Sequence, residues 1–437
     1  MRIPIETERL PNGLKVVLSP DASVPIVAVN LWYHVGSANE RAGRTGFAHL
    51  FEHMLFQGSA DVAANEHFEI VQRAGGTLNG STWLDRTNYY ETVPSNQLEL
   101  ALWLEANRMG YLLQGMTQEK LDTQRDVVKN ERRWSVDNQP YGTWWERLPA
   151  LAFPDHHPFH HSLIGSMDDL TAASLDDIRE FFAAYYRPNN AVLTIAGDFE
   201  RDAAMAMVNR HFGPIPAGPP PPPLDDMSVP PIFGQWKREV VPDAVPLPRL
   251  FLAFRTPVFG SDDYYAASVA GAILGTRKGS RLYRNLVRDR QVASDASAFT
   301  YDLTKGADIL VCDVTARPGI AAEMLEQEVA REIDVMFRDG VAQAEVDRAV
   351  ALIEADLIRS MQSAGDRADR LSMFATYFDK PQLINELPAR YRAVNAKAVN
   401  RFIRTSLGEN NRASLLFVPR ESESAEEPMA AAAGAAQ

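Results

Sequence analysis

The segment TGFAHLFEHMLFQG, residues 45–58, sets two imidazoles and a carboxylate into an otherwise apolar run. His49 and His53 are four residues apart, so on a helix they lie on one face, a turn from each other. Their ring nitrogens can then converge on a single Zn²⁺ at ~2.0–2.1 Å. Glu52, three residues after His49, sits on a nearby face and can reach a water on such a metal without being a ligand. Zinc lowers the pKa of that water to ~7, and a carboxylate beside it takes the proton as the water attacks a carbonyl. The chemistry implied is hydrolysis. The competing reading is a buried helix with two satisfied histidines, and a bare H-x-x-E-H does arise by chance. What weighs against it is cost: three such groups among apolar side chains are unfavourable unless paired or metallated.

These residues need a buried helix to hold them. Thr45 can cap one beginning near Gly46, and Phe47, Ala48, Leu50, Phe51, Met54 and Leu55 make it apolar on nearly every side. A third ligand has to come from another element. The segment TQEKLDTQRDVVKNERRW, residues 117–134, reads as a helix with Leu121 and Val128 on its apolar face. It carries Glu131, with Gln124 two turns earlier on the same stripe. A solvated glutamate on a charged helix remains the alternative at this point. The histidine-dense DHHPFHH, residues 155–161, reads as a loop before a helix more readily than as a second metal site. His34, His67 and His211 stand alone and read as structural, and GTRKGS from Gly275 lacks the spacing of a phosphate loop.

With 437 residues the chain has room for two to four domains or subdomains. Pro214 to Pro231, containing PPPPP, reads as an extended, semi-rigid spacer between two halves. The halves look like a divergent repeat. IREFFAAYYRPNNAVLTIAGDF, residues 178–199, is echoed by VNRFIRTSLGENNRASLLFVPR, residues 399–420. PIVAVNLWYHVGS from Pro25 is echoed by PRLFLAFRTPVFGS from Pro248. The expected fold class is α+β, each half an antiparallel-rich sheet with helices packed on one face. The expected boundaries are 1–213, a linker at 214–235, a second half at 236–420, and a low-complexity, disordered tail at 421–437.

A formal net charge of −13 and the lack of a basic stripe argue against nucleic acid as a partner. The single cysteine, Cys312, excludes both an internal disulfide framework and a cysteine-based zinc site. No stretch approaches the ~20 apolar residues of a membrane-spanning helix. The start, MRIPIETERL, has no apolar signal core. That fits a cytoplasmic protein, or an exported one whose signal precedes this numbering.

H-x-x-E-H followed at a distance by V-V-K-N-E, residues 127–131, resembles the pitrilysin/insulinase family of inverted zinc peptidases. The branch it is most similar to holds the mitochondrial processing peptidases and their bacterial relatives. The resemblance runs through VGSANERAGRTGFAHLFEHMLFQGS, GGTLNGSTWLDRTNYYETVP, NERRWSVDNQPYG and HPFHHSLIGSMDDL, and more faintly through the second half. It implies one Zn²⁺ per chain on His49, His53 and Glu131, with Glu52 as general base. It also implies that an edge strand around Leu78–Thr82 grips the peptide backbone through Asn79, Gly80 and Ser81, by β-augmentation. A plain hairpin turning at Asn79-Gly80 is the alternative there.

The chain departs from the family pattern in two places. Gln124 stands where many members have a glutamate; it can orient a neighbour but carries no charge. In SRLYRNLVRDRQVASDASAF, residues 280–299, Arg288 fits the family's substrate-binding arginine. The companion tyrosine position falls on Ser294, with Tyr283 and Tyr301 at other registers. The place equivalent to the metal helix reads AASVAGAILG, without ligands. The resemblance therefore implies the zinc-bearing catalytic subunit of a peptidase. Its partner is a homologous subunit supplying the Arg/Tyr pair, with a homodimer also possible. Export to the periplasm is implied, with the cytoplasm as alternative. A non-catalytic scaffold of the same fold is the competing function.

Overall fold

In a computed structural model, residues 2–224 and 226–420 are described; the tail expected to be disordered lies outside them. The first half contributes six strands: Glu6–Arg9 (β1), Lys15–Pro20 (β2), Ile26–Tyr33 (β3), Thr77–Thr82 (β4), Thr87–Pro94 (β5) and Ala191–Gly197 (β6). The second contributes five: Lys237–Asp243 (β7), Arg249–Thr256 (β8), Ala293–Thr300 (β9), Asp308–Ala316 (β10) and Ala413–Pro419 (β11). The sheets run β1-β2-β6-β3-β5-β4 and β7-β11-β8-β10-β9. β2 pairs with β6 in parallel, as β7 does with β11, and every remaining pair is antiparallel. Apart from β1, the two sheets share one topology, as the repeated segments in the sequence require. The fold is α+β in two corresponding halves.

The central strands do not alternate apolar with polar. IVAVNLWY of β3 and RLFLAFRT of β8 are buried at every position after the first. The reason is that each sheet is covered on both faces, which turns a strand into a continuous hydrophobic run. One face meets helices of its own half: Val29, Leu31 and Ile195 pack with Phe51 and Phe182 in the first half, and Leu250, Leu252 and Cys312 with Ile273 and Leu325 in the second. The other face is covered by the opposite half. The helix Ala364–Phe378 lies across β3 and β6, and the helix Trp144–Ala152 lies across β8 and β11. Ala28 and Ala196 face Ala364 and Ala368, small on both sides, so the backbones approach closely. Trp144 stacks on Phe251 at 4.5 Å. Helices packed on one face, the expectation from sequence, thus describes each half's own contribution but not the finished sheets.

This exchange makes the halves interdependent. Asp369 accepts hydrogen bonds from Trp32 Nε1 at 2.9 Å and from Asn30 Nδ2 and Asn88 Nδ2 at 3.2 Å. Asp369→Ala leaves three donors of the first sheet without that partner. A loss of about 2–4 kcal/mol in unfolding free energy is expected, read as a lower urea midpoint. An unchanged midpoint would show that the helix is held by its apolar face alone.

The proline-rich segment, expected as a semi-rigid spacer, is fastened by side chains of both halves. The Asn189 side chain donates to Gly218 O at 3.1 Å and accepts from Gly218 N at 2.8 Å. Arg255 Nη1 donates to Pro230 O at 3.1 Å, and Met227, Val229 and Phe233 join the core between the halves. Carbonyls in a segment without secondary structure need donors, and side chains of both halves supply them. Among the described residues no helix is long and apolar enough to cross a membrane.

Candidate metal centre

The helix Phe47–Met54 is buried through Phe47, Ala48, Leu50, Phe51 and Met54, as its composition requires. Its cap differs from expectation. Thr45 turns away, its hydroxyl donating to Asp169 Oδ2 at 2.5 Å. The free N–H groups of the first turn point instead at Glu40, whose carboxylate accepts from Gly46 N at 2.9 Å and Ala48 N at 2.7 Å. His161 Nε2 lies 3.0 Å from the same carboxylate. An anion at a helix N-terminus is favourable, and here it is fully buried; burial pushes its pKa up while His161 opposes the rise. Gly46 adopts φ +82°, and a Cβ on it would stand 2.5 Å from Ile164 O. The loop around Gly165 therefore packs directly on the start of the histidine helix, backbone on backbone.

The second helix spans Gln118–Arg132, capped by Thr117 accepting from Lys120 N at 3.3 Å. Leu121, Gln124 and Val128 are its buried face. It brings Glu131 to the histidines: Oε2 is 3.2 Å from His53 Nε2, and Oε1 is 3.7 Å from His49 Nε2. The three donor atoms all lie within 4.8 Å of one another. Ligand atoms of a tetrahedral zinc with bonds of ~2.0–2.1 Å stand about 3.3 Å apart, so the spacing suits one ion. Two imidazoles and one carboxylate leave a coordination position open, the pattern of catalytic sites.

Without metal the cluster already favours neutral His49. Burial and the neighbouring His53 push it down to about 4. Burial works against charge on His53 as well, yet the hydrogen bond and charge of Glu131 win and hold it above its ordinary value. The same hydrogen bond holds Glu131 below the usual carboxylate range. Gln124 is buried and lines the groove with His53.

Glu52 stands outside the ligand cluster. Thr82 donates its hydroxyl to Glu52 Oε2 at 2.5 Å, fixing the carboxylate against β4. Burial raises its pKa while the Thr82 hydrogen bond opposes the rise. β4 is the last strand of its sheet, paired only with β5. Asn79 and Gly80 lie within it, and the hairpin turns later, at Trp83–Arg86, where Trp83 N donates to Arg86 O at 2.8 Å. The tight-turn alternative for Asn79-Gly80 is thereby replaced by an edge strand. A Cβ at Gly80 would stand 3.1 Å from Glu52 Oε1 and 3.2 Å from Phe56 and Tyr89, so a glycine is what lets the strand pass so close. A groove of about 760 Å³ runs along these groups, lined by Asn79, Gly80 and Ser81 together with the cluster.

Other sequence-derived residues fall elsewhere. Arg288 is exposed, pairs with the adjacent Asp289 at 2.7 Å, and lines neither the groove nor the cavity beside it. Ser294 donates to Ala316 O at 3.1 Å. Tyr301, set aside on register, does reach the metal region and lines a cavity together with His49 and Glu131. Three of the four DHHPFHH histidines are engaged by the fold: His157 Nε2 with Met227 O, His160 Nδ1 with Phe153 O, each at 3.0 Å, and His161 with Glu40, while His156 is exposed. His67 is not isolated; it meets Glu91 and Glu105 in a buried group. There Arg108 already supplies the cation, bonding Glu105 and lying 3.8 Å from Glu91. Sequence reasoning gave Glu40 no role, although the amides it accepts from lie only six and eight residues on; it had Thr82 only as an edge-strand residue and Tyr301 only as an off-register tyrosine, since each reaches the site through groups distant along the chain.

The sequence matches the insulinase family, peptidase M16, over residues 15–162, and the peptidase M16 inactive domain over residues 172–353. It is 31% identical over 380 residues to the zinc protease PqqE of Helicobacter pylori, covering 85% of this chain and 83% of that protein. A crystal structure of a protease from Helicobacter pylori superposes with a TM-score of 0.90 at 28% identity, over 96% of this chain and 100% of the other. The first half of the periplasmic protease PqqL from Escherichia coli shares the fold alone, with a TM-score of 0.74 at 19% identity, over 96% of this chain and 93% of the other. Two corresponding halves, one carrying the HxxEH helix and the other with no ligand cluster among the described residues, and these likenesses along most of the chain lead to one conclusion: the chain belongs to the insulinase family of peptidases, M16.

Proposed function

We propose that this chain is a zinc metalloendopeptidase that hydrolyses extended peptides, with His49, His53 and Glu131 as ligands and Glu52 as general base. The observation that carries the reading is the convergence of His49 Nε2, His53 Nε2 and Glu131 on one point beside Glu52. Zinc, when bound there, supplies a Lewis acid that acidifies water and polarises a carbonyl. Glu52 receives the proton of the attacking water on its carboxylate and passes it to the leaving amine. Thr82 keeps that carboxylate aimed. The open edge of β4 offers main-chain hydrogen bonds through Asn79, Gly80 and Ser81 to a peptide of almost any sequence. Gln124, buried beside His53 in the groove, orients it.

The second half supplies little to this site. Arg288 points into solvent and Ser294 occupies the tyrosine position. We therefore read the chain as the catalytic subunit of a two-subunit enzyme, with a homologous subunit or a second copy completing the substrate site. We place it in the periplasm, the compartment that the resemblance to exported bacterial relatives implies.

Metal analysis tests the central claim. The purified chain should hold about one zinc, and His49→Ala should lose it together with all peptide hydrolysis while the far-ultraviolet circular dichroism stays unchanged. A His49→Ala chain that keeps its zinc would remove the cluster from consideration. Peptide hydrolysis at full rate by the chain alone and monomeric would remove the need for a partner.

A further inference from the structure

The turn Trp83–Arg86 joins β4 to β5 directly after Thr82, whose hydroxyl holds Glu52. An edge strand has a ladder partner on one side only, so the position of β4 depends on β5 and on whatever holds this turn. In the first half a loop holds it through its backbone. Ser37 N donates to Trp83 O at 3.2 Å, and Ala38 N to Leu84 O at 2.7 Å. Gly36 leaves no room for a side chain there, since a Cβ would stand 2.2 Å from Trp83 O.

Asp85, inside the turn, reaches the second half instead. It is only 3% exposed, and a carboxylate so covered needs donors. The Tyr377 hydroxyl donates to Oδ1 at 2.5 Å and the Thr304 hydroxyl to Oδ2 at 3.3 Å. Tyr377 belongs to the helix Ala364–Phe378, which crosses from the second half onto the first sheet, and Thr304 to the loop between β9 and β10. Both donors are themselves held. The Tyr377 ring meets Trp32 edge-on at 5.6 Å and His34 at 5.8 Å. Burial and the Asp85 charge keep its phenol well above the ordinary value, so it stays a donor. Leu303 N donates to Asp308 Oδ1 at 3.0 Å. Gly306, at φ +69°, sits against the proline-rich segment, where a Cβ would stand 2.5 Å from Met227 O.

We propose that Asp85 is a positioning residue for the substrate strand: through Tyr377 and Thr304, the second half holds the β4–β5 turn, so that the open edge of β4 is set before a peptide arrives. Asp85, Tyr377 and Thr304 line no part of the groove and lie outside the donor cluster. Their effect therefore passes through the strand. A strand left free to sway has to be ordered when the peptide pairs with it, and that cost falls on binding. The half without a ligand cluster thus acts on the site without touching it. The inference rests on the peptidase reading above and names what sets its substrate strand.

The test combines steady-state hydrolysis of an extended peptide with hydrogen exchange over residues 77–86, read by mass spectrometry. It uses the zinc-loaded full chain and the variants Tyr377→Phe, Asp85→Ala and Asp85→Asn. Tyr377→Phe keeps the ring against Trp32, so the fold is retained even if Asp85→Ala is not, and circular dichroism checks this. In Tyr377→Phe and Asp85→Ala, KM should rise by about tenfold. Their kcat should stay within about twofold, their zinc content should be unchanged, and exchange over 77–86 should be faster. Asp85→Asn retains an oxygen that accepts from Tyr377 and should stay near the parent in both readings. Unchanged KM or unchanged exchange in Tyr377→Phe overturns the proposal, and so does an Asp85→Asn chain as impaired as Asp85→Ala. If the parent cleaves no peptide, the peptidase reading fails, and two other readings on the same variants decide the positioning role: hydrogen exchange, and fluorescence anisotropy of a labelled extended peptide. Faster exchange with weaker peptide binding in Tyr377→Phe supports it; either one unchanged overturns it.

Discussion

Glu52→Gln is expected to fold, to bind about one zinc and to lower kcat for peptide hydrolysis by about 10²–10⁴-fold. The amide has nearly the same shape as the carboxylate, and its oxygen can still accept from the Thr82 hydroxyl that holds Glu52 at 2.5 Å. The gap beside Gly80 remains filled, since a Cβ there would stand 3.1 Å from the same side chain. Glu52 is outside the group of donor atoms, so the metal set is untouched. What disappears is the ability to take a proton from water. The loss should therefore fall on kcat with little change in KM. Two outcomes would contradict the assignment: turnover near the wild-type rate, or loss of zinc with loss of activity, which would make Glu52 a ligand. The contrast with His49→Ala, which loses both, separates the two roles.

Arg108→Met is expected to have the largest effect on stability, about 3–5 kcal/mol. Arg108 is 3% exposed and bonds Glu105, with Glu91 at 3.8 Å and His67 beyond it. Burial drives Glu91 well above the usual carboxylate range, the Glu105 charge adding to it. For Glu105 burial pulls the same way, but Arg108 overcomes it and keeps that carboxyl ionised. Burial and Arg108 together hold His67 down to about 3, so it is neutral. The group thus balances one cation against one anion, and removing the cation leaves a buried carboxylate uncompensated. The consequence reaches the catalytic strand, because the Arg108 guanidinium lies 4.1 Å from the Tyr89 ring centre and 5.1 Å from that of Phe56. Those rings are the floor on which Gly80 rests. A drop in the urea midpoint together with weaker peptide hydrolysis in the folded fraction is the expected pair of readings. A variant as stable as the parent would mean that the carboxylates protonate at little cost.

The sequence alone determined the local chemistry. His49, His53 and Glu52 are legible because helix periodicity ties their spacing to a shared neighbourhood, and because charged groups inside an apolar helix demand a partner. The duplication was legible because each half closes on a helix, an Asn-Asn pair and a buried strand, and each has a matching strand near its start. Resemblance added Glu131, which spacing could not separate from a solvated residue. Tertiary structure decided everything that depends on approach between distant segments. Even close by, the folded loop made Glu40 the cap in place of Thr45, turning a carboxylate six residues away onto the free N–H groups of the helix. Tertiary structure placed Arg288 at the surface and Tyr301 beside the metal cluster, against the registers read along the chain. It also let each half lend a helix to the other's sheet, so that strands expected to show one covered face have two. Local pattern records which face of an element is apolar; it does not record which element will cover it.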